Sequence, residues 1–213
     1  MIKKIFAVVT FCAGAVSAAS ASVVFDNGGP MGGGTANNAV FWTQSNDFTL
    51  ATTTSITGGS VYLEAQGGLF SAWDGTLNYY FFADNAGSPG AAALASGVAT
   101  NLVDTATTIT DQAGTGKIQR IDFGLVNAFD ATAGTTYWLG IQLGKTGTIG
   151  WSAAFTGAGA NQMESFGSTY NNWTNNGRDG AFLLNGGATV PEPGSLALVG
   201  LSLLAAAAVR RRR

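Results

Sequence analysis

The sequence predicts an all-β fold: an antiparallel β-sandwich of jelly-roll type, with a signal helix before it and a hydrophobic helix after it. Three observations lead there. Apolar residues alternate with polar ones at period two in several runs between residues 22 and 190, as in strands with one buried face. Clusters of Gly, Asn and Asp separate these runs at the short spacing of turns. No stretch of this body keeps a helical period; the Ala-rich residues 91–95 are closed in by Pro89-Gly90 and Gly97. Many short strands joined by Gly-rich turns are the pattern of a sandwich.

Taken in order, the chain begins with a basic segment, Lys3 and Lys4, followed by an apolar stretch at residues 5–18 and the small-residue triplet Ala19-Ser20-Ala21. This is the layout of a secretory signal peptide. Residues 1–21 are assigned to it, with the mature start near Ser22; cleavage after Ala18 or Ala19 is the alternative. The single cysteine, Cys12, lies in this segment, so the exported body has neither disulfide nor thiol chemistry.

Residues 22–189 then form one domain of common size. Strands are expected at 22–25, 40–43, 48–50, 61–66, 77–82, 92–98, 105–110, 121–125, 137–143, 149–153 and 180–184. Along 137–143, Tyr137, Leu139, Ile141 and Leu143 form one face and Trp138, Gly140 and Gln142 the other. Residues 77–82 are apolar or aromatic on both faces, which suggests a central strand. Turns are expected at Thr57-Gly58-Gly59, Asp74-Gly75, Asp84-Asn85-Ala86-Gly87, Ala133-Gly134 and Asn175-Asn176-Gly177.

Residues 190–213 have a different character. Pro191 and Pro193 bracket Glu192; both lock φ and lack an N–H, so this piece is extended. An uncharged apolar run of 14 residues, 196–209, follows. It falls short of the ~20 residues that span a bilayer core comfortably. Arg210, Arg211, Arg212 and Arg213 end the chain. Such a cluster orients a helix with its basic end in the cytoplasm, leaving the body outside, and arginine stems can snorkel to extend a short helix. The ordinary reading is a membrane anchor.

Pro191-Glu192-Pro193, the apolar helix and the terminal arginines, in that order, resemble the PEP-CTERM sorting signal of exported proteins in Gram-negative bacteria. The resemblance implies that Pro191, Glu192 and Pro193 are recognition residues for an exosortase-type protease-transpeptidase. It further implies insertion of the helix in the inner membrane only transiently, a final place at the cell surface or in the extracellular matrix, and an association with exopolysaccharide and biofilm. The body is similar, at the level of fold, to sandwich domains of exported surface proteins. That similarity is carried by residues 134–140 (Gly-Thr-Thr-Tyr-Trp-Leu-Gly) and by Pro89-Gly90 with Leu94-Ala95-Ser96-Gly97.

Removing both ends changes the charge balance. Lys117, Arg120, Lys145 and Arg178 are the only basic residues left, against eleven acidic ones between Asp26 and Asp179, an excess of seven negative charges. This argues against nucleic acid and against anionic lipid as partners. The chain has no histidine, which with the missing thiol excludes Ser-His-Asp and Cys-His catalysis, typical zinc sites and haem ligation. The loop Gly28-Gly29-Pro30-Met31-Gly32-Gly33-Gly34 lacks the Lys-Ser/Thr of a phosphate cradle and reads as a flexible loop.

A pair of carboxylates could hydrolyse glycosides without histidine. Glu64 and Glu164 are the only glutamates before the tail, and Asp26, Asp47, Asp74, Asp84, Asp104, Asp111, Asp130 and Asp179 sit where aspartates bind their own backbone. The body is therefore expected not to be an enzyme, and no cofactor is expected. Calcium is the one ion its oxygen-rich loops would suit, although no Asp-x-Asp-x-Asp-Gly loop defines a ligand set.

Trp73 and Trp173 lie in polar, turn-rich segments beside Asp and Asn. An aromatic face flanked by amides and carboxylates suits a sugar, so these two are the candidate carbohydrate contacts; the competing reading is that they close the ends of the sandwich. Trp42, Trp138 and Trp151 fall in strand patterns and read as core. The expectation is thus an exported structural or interaction protein, with a carbohydrate-binding module, aided by calcium or not, as the alternative and a glycoside-active enzyme as the third reading.

Overall fold

The alternating runs pair into two antiparallel sheets in the computed structural model, which describes residues 21–32, 36–144, 148–154, 161–166 and 170–188. Residues 1–20 of the signal segment, Gly33-Gly34, Lys145 and the whole tail, with Pro191, Glu192, Pro193 and the four arginines, lie outside the described residues. Thirteen strands and a one-turn 3-10 helix at Phe70–Ala72 follow in order: β1 Ser22–Asp26, β2 Ala36–Asn38, β3 Trp42–Thr49, β4 Thr54–Gly67, β5 Leu77–Asp84, β6 Pro89–Val98, β7 Thr100–Thr110, β8 Lys117–Ala131, β9 Thr136–Leu143, β10 Thr148–Ser152, β11 Met163–Phe166, β12 Thr174–Asn175 and β13 Phe182–Ala188.

The first sheet is built around β4. β8 lies along one flank and carries β7 at the edge. The other flank is shared: β13 and then β1 cover residues 54–61 of β4, and β10 and then β2 cover the rest. The second sheet runs β12-β11-β3-β9-β5-β6. The two sheets share one apolar core, consistent with a β-sandwich. Ile56, Val61 and Leu63 enter it from β4, Ile121 and Phe123 from β8, Leu77, Tyr79 and Phe81 from β5, and Leu139, Ile141 and Leu143 from β9. The alternation read along 137–143 is therefore the real one, and Leu139 and Ile141 are fully buried.

Three differences from the sequence expectation have physical causes. Residues 40–43 and 48–50 are not two strands; one strand, β3, runs from Trp42 to Thr49. Its middle looks like a gap because it is polar, but those polar groups are buried and satisfied. Gln44 Nε2 donates to Asn38 O at 2.8 Å, Ser45 Oγ to Leu139 O at 3.1 Å, and Asn46 Oδ1 accepts from Gly180 N at 2.7 Å. Thr57-Gly58-Gly59 is not a turn but the middle of β4. There the register slips against β8: Ile56 faces Phe129 and Gly58 faces Gly124, so residues 125–128 bulge from the sheet. The glycines admit the close approach, since a Cβ on Gly58 would meet Phe123 O and one on Gly59 would sit 2.5 Å from Leu183 O. β2, β11 and β12 have two to four residues each, too short to show a period.

The turn aspartates do what their contexts suggest. Asp26 accepts from Gly28 N, Asp74 from Thr76 N, Asp84 from Gly87 N, and Asp111 from Thr115 N and Gly116 N.

Candidate functional site

The outer face of the second sheet carries the features worth attention. Cross-strand pairing sets Tyr80, Gly140 and Ser45 in one row and Phe82, Trp138 and Asp47 in the next, taking β5, β9 and β3 in turn. Gly140 is small for a reason: a Cβ there would come within 2.8 Å of the Phe82 ring and 3.2 Å of Tyr80 Cβ. The Phe82 ring edge takes the space it leaves, and Tyr80 and Phe82 stack with centroids 6.0 Å apart.

The segment before β13 folds onto these rings. Tyr170 packs on Phe82 at 5.1 Å and on Tyr80 at 5.4 Å, and Trp173 meets Phe82 edge-on at 5.3 Å. Tyr170 and Trp173 are nearly parallel, 13° apart with centroids 6.0 Å apart. Tyr170 reaches this position with φ +47°, a left-handed conformation costly for a bulky residue. Burial beside the Tyr80 hydroxyl pushes its phenol above the usual value, so it stays neutral.

The opposite wall is the turn between β5 and β6. The indole N–H of Trp138 donates to Asp84 Oδ1 at 2.9 Å, and the Asp84 carboxylate accepts from Gly87 N. Ala86 and Gly87 both take positive φ, and Asn85 and Ser88 exchange backbone hydrogen bonds. Between this turn and residues 170–173 lies an open cleft of about 280 Å³, lined by Asn85, Ser88, Pro89, Ala91, Tyr170, Asn171 and Trp173. It pairs aromatic and aliphatic surface with amides and a hydroxyl, and its lining has no charged side chain.

The two tryptophans singled out in the sequence are not brought together. Trp173 lines the cleft near the end of β5. Trp73 lies before the start of β5, half-buried against the core, edge-on to Phe70 at 5.7 Å, with Nε1 donating to Thr76 O at 3.1 Å. Tyr170, Asn85 and Pro89 are added by the structure. Their meeting depends on the packing of residues 170–173 over β5, which no local pattern signals.

The glutamates sit in different sheets. Glu64, on β4, is buried and accepts from Gln112 N at 2.8 Å; Glu164, on β11, accepts from Gln44 Nε2 at 3.2 Å. Neither lines the cleft. Asp47 is the perturbed carboxyl of this region. Burial raises it above the ordinary value, and Asp179 and Asp84 nearby add to the shift. Among the described residues no group of three or more acidic side chains is gathered as metal ligands would be.

Comparison with known proteins speaks to the end of the chain. Residues 189–213 match the PEP-CTERM protein-sorting motif. The chain thus carries a recognised sorting tail behind a two-sheet all-β body. The motif marks an exported protein with a C-terminal membrane-anchoring signal and implies an exosortase-type processing partner. No curated protein matches the chain.

Proposed function

We propose that this is a structural or interaction protein of the cell surface or extracellular matrix, cut at its tail by an exosortase-type enzyme and associated with exopolysaccharide. The carrying observation is where the tail starts. The sorting motif begins at residue 189 and β13 ends at Ala188, so cutting near Pro191-Glu192-Pro193 leaves every described strand intact. The apolar helix serves as a transient hold in the inner membrane, oriented by Arg210 to Arg213. The body is read as non-enzymatic, without a resident cofactor, and as a jelly-roll-like sandwich. Most of its connections pass from one sheet to the other. The test is intact mass of the protein from a host that exports it. The expected species begins near Ser22 and lacks residues 196–213; a mature species retaining them overturns the reading.

A second reading is favoured by the cleft itself: it holds the host's own exopolysaccharide through a neutral sugar. A ring of that kind needs an apolar face and hydrogen-bonding neighbours, and Trp173 and Tyr170 with Asn85, Ser88 and Asn171 provide both. Co-sedimentation of the processed protein with that polysaccharide, with calcium and with chelator, tests it. Saturable binding lost in Trp173→Ala and kept in Trp73→Ala supports the cleft, and a chelator effect would bring in the ion. No binding under either condition leaves the structural role alone.

A further inference from the structure

The cleft and the start of the tail lie at the same end of the sandwich. Asp84 ends β5 and opens the turn that walls the cleft, and strand pairing carries that level across the sheet: Ala83 faces Tyr137, and Thr136 faces Thr49. Residues 50–53 then lead into β4 at Thr54, with Leu50 O accepting from Gly134 N. Thr54 pairs with Ala131 on one flank and with Ala188 on the other. Ala188 ends β13, and the sorting motif begins one residue later. Leu77, paired with Leu143, and Gly67 at the end of β4 mark the far end of the body.

How far the tail end can stand from the membrane is set by chain length. Seven residues, 189–195, separate Ala188 from the apolar run 196–209. Fully extended, they reach at most about 25 Å. As a helix, a run of 14 residues rises about 21 Å, against a hydrocarbon core of about 30 Å. With the arginines at the cytoplasmic face, its outer end stops about 9 Å inside the core, and about 6 Å of headgroups lie beyond that. The bilayer therefore takes up about 15 Å of the link, and Ala188 stands about 10 Å from the headgroups. Even where the bilayer thins to match the helix, the gap stays below about 20 Å. Four basic residues against eleven acidic ones repel the body from an anionic surface, which draws the link taut and turns the tail end toward the bilayer.

We propose that the bilayer shields the cleft while the tail holds the body there, and that cutting near Pro191-Glu192-Pro193 opens it to exopolysaccharide. This rests on the reading of the cleft as a sugar site and adds its regulation. A domain of this size is about 40 Å across, so a long polymer must thread a gap narrower than the body itself to reach the wall made by Asn85 and Ser88. The far end, where Leu69 is 59 % exposed, meets no such obstacle. The sorting cut thus becomes the step that switches binding on: the protein passes the inner membrane without capturing polymer and captures it after release.

The body has no cysteine, so access can be read with single thiols. The full chain with Cys12→Ser carries Asn85→Cys at the cleft or Leu69→Cys at the far end. It is made in exporting cells that lack the sorting enzyme, placed in lipid nanodiscs, and compared with its processed form. Two probes are used, a small maleimide and a maleimide carried on dextran. The small probe should label both positions in both forms. Dextran should label residue 69 equally in both, and residue 85 several-fold more slowly in the membrane-held form. A flexible Gly-Ser insert of about 20 residues after Ala188 adds about 25 Å of reach and should restore the rate at residue 85. Equal dextran labelling of residue 85 in the held and processed forms overturns the proposal, and so does slow labelling that the insert leaves unchanged. Binding of exopolysaccharide isolated from the host is measured separately on the processed protein. Shielding of residue 85 without such binding overturns the sugar reading, and with it the claim that the cut switches on capture, while the shielding itself stands.

Discussion

Trp138 and Asp84 are joined across neighbouring strands: the indole N–H of one donates to the carboxylate of the other at 2.9 Å. The pair ties the otherwise buried face of β9 to the turn that forms one wall of the cleft. Trp138→Phe keeps most of the ring and removes the donor. It should cost about 1–3 kcal/mol, the range for leaving a buried hydrogen-bonding group without its partner, and should speed amide exchange at Gly87. Chemical denaturation and exchange spectra check the two effects; an unchanged Gly87 rate would show that the turn is held by its own backbone alone.

Leu139 is fully buried between the two sheets. Leu139→Ala removes its packing and leaves a cavity, and should lower stability by about 2–5 kcal/mol. A denaturation midpoint equal to that of the parent protein would contradict the assignment of this face to the core.

Gly58 lets β8 pass close to β4, with Phe123 O where a Cβ would be. The obstacle is backbone, so it cannot swing aside. Gly58→Ala should cost at least the ~1–3 kcal/mol typical of overpacking, whereas Gly29→Ala, with open space around it, should be near neutral. Thermal melts of the two variants side by side make the comparison.

Asp47 gives a pH dependence with a definite sign. Its folded carboxyl binds a proton more tightly than its ordinary value of 3.8, chiefly through burial. Between these two values the folded state holds more protons than the unfolded one, so this group's contribution falls as pH rises and stays unfavourable at neutral pH. Asp47→Asn should therefore raise the melting temperature at pH 7 and lose that advantage below about pH 3.8. A constant difference across this range would assign the effect to packing instead of charge.

Much of the fold is written locally. β9 shows its two faces in its own alternation, β5 shows its burial on both sides, and the Asp-Asn-Ala-Gly turn after β5 announces itself. β3 hides, because Gln44, Ser45 and Asn46 find their partners in residues 38, 139 and 180, and a polar residue satisfied at long range looks the same in sequence as one in water. Gly58-Gly59 hides for a related reason: a glycine that admits a neighbouring strand and a glycine that turns the chain are the same letter. The candidate site was half legible. Trp173 stands out beside its asparagines, while Tyr170 and Asn85 acquire meaning only when residues 170–173 fold over β5. The sorting tail was fully legible, since its elements are contiguous and need no fold to be read.

The place of β13 has a mechanical consequence. β13 leads directly into the tail, and it lies between β1 and β4, antiparallel to both; Ser22 pairs with Gly186 on one side and Thr54 with Ala188 on the other. A pull on the chain beyond Ala188, along the strand, is shared among hydrogen bonds on both flanks, which are loaded in shear and must yield together. The same pull on an edge strand with one neighbour would have half that grip. A body held by this end is thus fastened by one of its best-gripped strands, a joint suited to drag from flowing liquid.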